Sequence, residues 1–196
     1  MGGNKIYGVV VGIVTNNDDP EKIGRVKLKF PWLGDDVESF WARTAMLGAG
    51  PNAGAVFLPE VNDEVLVAFE HGDVRFPYVL GGLWSKVDKP PLGDGLFNQG
   101  KVKRNGFVSR KGHKFVFFED SSKSGIALIT SDGKVKVSLN ESKAEIHIEC
   151  QGKVLIKSSG DMNVESGGSL TLKGDGGVKV SSGGNVEVKG AQVKLN

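Results

Sequence analysis

GGSLTLKGDGGVKVSSGGNVEVKG, residues 167–190, repeats itself every eight residues. Gly168, Gly176 and Gly184 mark the beat. Two apolar residues follow each: Leu170 and Leu172, Val178 and Val180, Val186 and Val188. Upstream, the frame places Val154 and Ile156 after Gly152, and Met162 and Val164 after Gly160; Ala144 with Ile146 and Ile148 fits it too. Downstream, Val193 and Leu195 keep the alternation, with the spacing tightened by one residue.

Residues two apart in a strand share a face. Each octad therefore shows two apolar side chains on one side and polar ones, such as Asn163, Thr171, Lys179 and Glu187, on the other. Glycine permits the positive φ of a tight corner. A strand and a corner at a constant step is the signature of a β-helix.

A three-sided coil made by one chain uses about 24 residues per turn, so Ala144 to Asn196 would form barely two coils, fewer than the roughly three repeats a solenoid needs. It would also leave strand edges exposed. Full burial of an aliphatic side chain stabilises by roughly 1.5–3 kcal/mol, whereas fixing each backbone unit costs roughly 1–2 kcal/mol. Two aliphatics per octad do not offset that for a lone chain. Three chains wound together, each supplying one side per coil, give about six layers and use up the edges. The expected needle core is Val154, Ile156, Met162, Val164, Leu170, Leu172, Val178, Val180, Val186 and Val188. The outward residues Lys157, Glu165, Lys173, Ser181 and Lys189 alternate in sign, which limits self-repulsion.

The rest of the 196-residue chain also reads as strands, with almost no 3.6-residue periodicity. Residues 1–85 contain IYGVVVGIV (6–14), RVKLKFP (25–31), SFWARTAM (39–46), EVLVAFEHG (64–72) and YVLGGLW (78–84). Five or six short strands with Gly and Pro turns predict a small barrel of the OB type. Residues 86–106, with Pro90-Pro91, predict a stiff linker. Residues 107–196 predict a β-strand neck followed by the needle. The fold class expected is all-β: an N-terminal OB-fold barrel followed by an intertwined, triple-stranded trimeric β-helix.

Composition removes several functions. Lys+Arg 25 against Asp+Glu 23 gives a net charge of +2, no basis for nucleic acid or an anionic membrane as main partner. The lone Cys150 allows no disulfide framework or cysteine cage and predicts a half-buried thiol on a strand. The apolar run Val9–Val14 is too short for a leader or a span, which predicts synthesis in the cytoplasm without a signal peptide.

Glu60, Asp63 and Glu64 cluster as acid–base catalysts do, but they follow Pro59 at a strand entry, where turn carboxylates are ordinary. Asn16-Asn17-Asp18-Asp19 lacks the spacing of a calcium loop and predicts a turn. Trp32, Phe40, Trp41 and Trp84 with Arg25, Lys27 and Lys29 fit an alternative: an OB-fold nucleic-acid binder on a β-solenoid oligomerisation stalk. Packing within the barrel is the favoured role for those aromatics. His71, His113 and His147 lack metal-ligand spacing, and His113 and His147 are expected on strand surfaces. No catalytic, cofactor or metal residue is assigned.

GRVK (24–27), FWAR (40–43), LPEVNDEVLV (58–67), GD (72–73) and the octads ending GAQVKLN together resemble the VgrG and phage baseplate protein V family. These are the central spikes of contractile injection systems: phage tails, type VI secretion and tailocin-like particles. The resemblance implies a homotrimer with an OB collar docked on hub or baseplate proteins. It implies a rigid needle that pierces a target envelope, a PAAR-repeat cap on the tip, and effectors as possible cargo. Val193, Lys194, Leu195 and Asn196 are the residues expected at the tip. Family members carry a large hub region before the OB domain, so the resemblance also implies that this hub is a separate protein or that the chain is an excised piece. A lysozyme insertion has no room in residues 86–106, and the His-x-His metal apex of some spikes is missing.

Overall fold

The computed structural model describes residues 5–34, 37–120 and 123–194 and divides the chain into two compact units, 1–151 and 152–196. The first unit holds a barrel and a separate sheet. The barrel strands are β1 (Val10–Asn16), β2 (Lys27–Lys29), β3 (Arg43–Thr44), β6 (Glu64–Phe69) and β7 (Pro77–Gly82). A small hairpin of β4 (Ala49–Gly50) and β5 (Ala53–Gly54) lies between β3 and β6.

The sheet order is β2-β1-β6-β7-β3, antiparallel except that β3 runs parallel to β7. A bridge between Val26 and Ala42 joins the two ends and closes the barrel. This is five-stranded OB topology. Alternation decides which side chains enter: Val65, Val67 and Phe69 of β6, with Val14, Val26, Leu28, Phe30, Ala42 and Val79, form the buried core. Gly12 stands at an inward position of β1. A Cβ there would lie 3.2 Å from Val67 and 3.3 Å from the Phe30 ring, so the missing side chain makes room for that ring. Phe30 packs edge-on against Phe69 at 5.6 Å between ring centroids.

A hairpin of β8 (Phe97–Asn98) and β9 (Lys101–Val102) stands within the expected linker. An antiparallel meander follows: β10 (Arg104–Val108), β11 (Lys114–Asp120), β12 (Lys123–Ile129), β13 (Val135–Asn140) and β14 (Glu145–Cys150). Here the structure corrects the octad frame. Ile146 and Ile148 do not begin the repeat; they belong to β14, paired antiparallel with β13 from Asn140↔Glu145 to Val135↔Cys150. The reversal between them is a short 3-10 turn in which Asn140 Oδ1 accepts from Lys143 N at 3.2 Å and Ala144 takes a left-handed φ of 52°. Alternation alone is the same in both arrangements, so the sequence pattern does not separate them.

In the second unit the described residues, to Lys194, form extended runs broken by bends at the octad spacing, and no strand of this segment is paired within the chain. The trimeric β-helix is thus not tested by the structure of a single copy.

Candidate assembly surfaces

Two surfaces display apolar side chains that the chain itself does not cover. The first is one face of the meander. Paired residues on neighbouring strands share a face. The register sets Phe107, Phe115, Leu128, Val137 and Ile148 side by side across five strands. A second row holds Phe117, Ile126, Leu139 and Ile146, and Val135 lies opposite the half-buried Cys150. Leu128 is 52% exposed and Ile148 65%. An antiparallel sheet that faced water on this side would carry polar residues here. One end of the face meets the barrel: Phe57, from the loop before β6, stacks on Phe107 at 5.3 Å, and Phe107 on Phe115 at 6.2 Å.

The second surface is the octad strip. All ten expected core residues are exposed in the single copy, from Met162 at 51% to Ile156 at 74%. The corners differ from the expectation of positive-φ glycines. Gly160, Gly168, Gly176 and Gly184 on the beat do not adopt positive φ; only Gly177, at 110°, does so in this unit. Serines two residues before the beat make the bends instead. Ser158, Ser166 and Ser182 accept from the backbone N–H of Gly160, Gly168 and Gly184 through Oγ at 3.2, 3.3 and 3.0 Å. These are ST-turns. Where Gly174 replaces serine, Gly177 N donates to Gly174 O at 3.0 Å. A serine at every second position before the beat was the sequence signal for these corners, and glycine drew attention away from it.

A Cβ at Gly160, Gly168 or Gly176 would meet nothing within 4 Å. Neither backbone conformation nor crowding inside one copy therefore calls for glycine at these corners. Of the four tip residues, Val193 is half exposed, Lys194 is exposed, and Leu195 and Asn196 lie outside the described residues.

The other residues singled out in the sequence serve the fold. Asp19 is the one buried charged group among the described residues. Its carboxylate accepts from Glu21 N, Ile23 N and Arg25 N at 3.0–3.2 Å and pairs with the Arg25 guanidinium at 2.7 Å. The Arg25 hydrogen bond, followed by those backbone donors, holds Asp19 far below the usual carboxylate range. The expected turn is therefore a loop wrapped around one carboxylate. Glu60 and Asp63 face Arg110 of the β10–β11 turn, which tethers the meander to the barrel. Asp63 also accepts from Glu60 N, so this acidic cluster is a turn and a clamp.

Trp41 lies under two cations, Arg25 at 5.8 Å and Lys27 at 5.5 Å, and both cations are tied to carboxylates, Asp19 with Glu21 and Glu38. That ring and those charges are already engaged. Trp32, Phe40 and Trp84 remain exposed. His113 sits in the β10–β11 turn rather than on a strand, where its Nδ1 accepts from Ser131 N at 3.1 Å; His147 lies on β14 beside Glu149. Among the described residues no group of His, Cys, Asp and Glu is placed to hold a metal, and no helix is long and apolar enough to cross a membrane.

A closed OB barrel that hands its chain to an uncovered β-surface defines a class, the barrel-and-stalk assembly proteins. Residues 10–84 match the type VI secretion system/phage-baseplate injector OB domain. The chain is similar to the type VI secretion system spike proteins VgrG2a of Pseudomonas aeruginosa (33% identical over 86 residues, 42% of this chain and 10% of that protein) and VgrG3 of Vibrio cholerae (30% over 108 residues, 53% and 11%). It is also similar to the actin cross-linking toxin VgrG1 of Vibrio cholerae (35% over 72 residues, 35% and 7%). The chain thus spans about a tenth of the length of these relatives. On this evidence it belongs to the VgrG and phage baseplate V family.

Proposed function

We propose that this chain is the structural, non-enzymatic spike subunit of a contractile injection machine. Three copies close around a threefold axis. The barrel (1–85) forms a collar on hub or baseplate proteins, residues 86–106 connect, and residues 107–196 form neck and needle. The needle carries a PAAR-type cap on Val193, Lys194, Leu195 and Asn196, pierces the target envelope mechanically and brings any effector with it.

The observation that carries this reading is the continuous run of uncovered apolar side chains, from the two rows of the meander face to the octad strip. An exposed apolar surface of this extent on a soluble chain marks an interface. Two copies would leave the open edges of the strip unpaired, whereas a closed ring of three removes them. The unoccupied space at the corner glycines also supports it, because a neighbour's backbone can approach there as it can nowhere else on the strip.

Light scattering on the full chain tests the assembly. Three chains per particle, independent of dilution, is the expected result; a stable monomer refutes it.

A further inference from the structure

Counted from each beat glycine, the first, third and fifth residues of an octad face away from its apolar pair. The first positions are Lys153, Asp161, Ser169, Gly177 and Asn185. The third are Leu155, Asn163, Thr171, Lys179 and Glu187, and the fifth are Lys157, Glu165, Lys173, Ser181 and Lys189. Each carboxylate in these columns has a lysine eight residues before it: Asp161 has Lys153, Glu165 has Lys157, Glu187 has Lys179. Glu165 also has Lys173 eight residues after it. Eight extended residues span about 26 Å at ~3.3 Å each, far beyond an ion pair. The ion pairs formed within one strip are local instead, Lys173 with Asp175 at 3.5 Å and Lys189 with Glu187 at 2.5 Å. The eight-residue charge pattern therefore has no use inside a single copy.

We infer that neighbouring copies pair in parallel with a stagger of one octad, so that residue i of one copy lies beside residue i+8 of the next. This rests on the trimeric reading and specifies its register. The apolar pattern cannot choose the stagger, since offsets of 0, 8 and 16 all set apolar rows on apolar rows. The charges can. Directly opposed like charges destabilise neighbouring strands and opposite charges stabilise them. Zero offset places Lys157 on Lys157 and Glu165 on Glu165. An offset of 16 places Lys157 beside Lys173 and Lys173 beside Lys189. An offset of eight creates the contacts Lys153–Asp161, Lys157–Glu165, Glu165–Lys173 and Lys179–Glu187, with no like pair in any outward column. The same offset stacks the corner residues Ser158, Ser166, Gly174 and Ser182 in one line, so the bends coincide from layer to layer.

Neighbouring strands lie about 4.8 Å apart, within the Cα separation a disulfide spans. The test uses the full chain with Cys150→Ser as background. Lys157→Cys and Glu165→Cys together should give covalent trimers on a non-reducing gel after mild oxidation, and neither substitution alone should link chains. Self-linking by Lys157→Cys alone overturns the stagger in favour of zero offset. Absence of any link while light scattering still reports three chains also overturns it and leaves the trimer standing. A monomer by light scattering instead overturns the trimeric reading beneath it. A second variant does not depend on cross-linking. Glu165→Lys should lower the melting temperature of the trimer, and adding Lys157→Glu and Lys173→Glu should restore it; failure of that restoration refutes the register.

Discussion

Val180 separates an assembled needle from a free strip most directly. It is 71% exposed in the single copy, so in a monomer Val180→Ala is a surface change, expected to alter stability by less than about 0.5 kcal/mol. In the trimer three Val180 side chains share one interior layer. Each loses two methylene equivalents, ~1.6 kcal/mol per copy and ~5 kcal/mol per trimer at ~0.8 kcal/mol per CH2, before any term for the cavity left behind. Val180→Asp puts three carboxylates into that layer, with no water or cation to receive them, and assembly should be lost. Val186→Asp should behave alike. The assay is denaturant unfolding at several protein concentrations, followed by light scattering for mass and far-UV circular dichroism for strand content. Tryptophan fluorescence is unsuitable alone, since all three tryptophans lie in residues 1–85. If Val180→Ala unfolds with wild-type strand content and midpoint, and Val180→Asp keeps the wild-type mass, the reasoning about a closed core fails.

Three further predictions concern the remaining features. Ile148→Lys, in the first apolar row of the meander, should abolish trimers while the barrel keeps its tryptophan emission; gel filtration and fluorescence on one sample check both. Gly168→Val meets nothing within 4 Å inside one copy and should nevertheless lower the melting temperature of the assembly, because the added side chain obstructs the neighbour at the corner. In acid, the barrel should resist unfolding longer than ordinary carboxylates would allow. Arg75, by side-chain and backbone hydrogen bonds, holds Asp73 down at about 2. A carboxylate with a depressed native pKa contributes stability that is fully present above its unfolded value near 4 and is lost as pH falls through the native one. Circular dichroism of residues 1–151 between pH 5 and pH 1.5 should therefore show the Asp73 contribution fading between about pH 4 and pH 2, and Arg75→Ala should remove that dependence.

The barrel was legible because its alternation has one interpretation: Val65, Val67 and Phe69 can point only inward once Leu66 and Ala68 point out. The register of β6 on β1 and β7 follows from that parity. The strip was legible as a repeat for the same reason. Three things were not. Ile146 and Ile148 carry the same two-residue spacing in a hairpin as in an octad, and spacing says nothing about which strand lies alongside. Ser158, Ser166 and Ser182 were masked by the glycines beside them, although the hydroxyl provides the hydrogen bond at the bend. Asp19 looked like one of four polar residues in a turn; only the folding of Glu21, Ile23 and Arg25 around it shows why that position must be a carboxylate. The meander's apolar face needed the pairing register, since five strands contribute one or two residues to each row and no single segment displays it.

The two units differ in when they can finish. The barrel closes on its own side chains, so its maturation is unimolecular and its rate is the same in a crowded or a sparse cell. The octad strip waits for two more chains, which makes its last step sensitive to how many copies are present and how near together they are made. Until then its bare backbone is open to any stray strand. Once the three are wound together, separating them means unwinding every turn at once, so the finished object should persist far longer than its free-energy difference alone would suggest. Production in bursts from one message, with the three partners born side by side, would suit such a molecule better than slow, scattered synthesis.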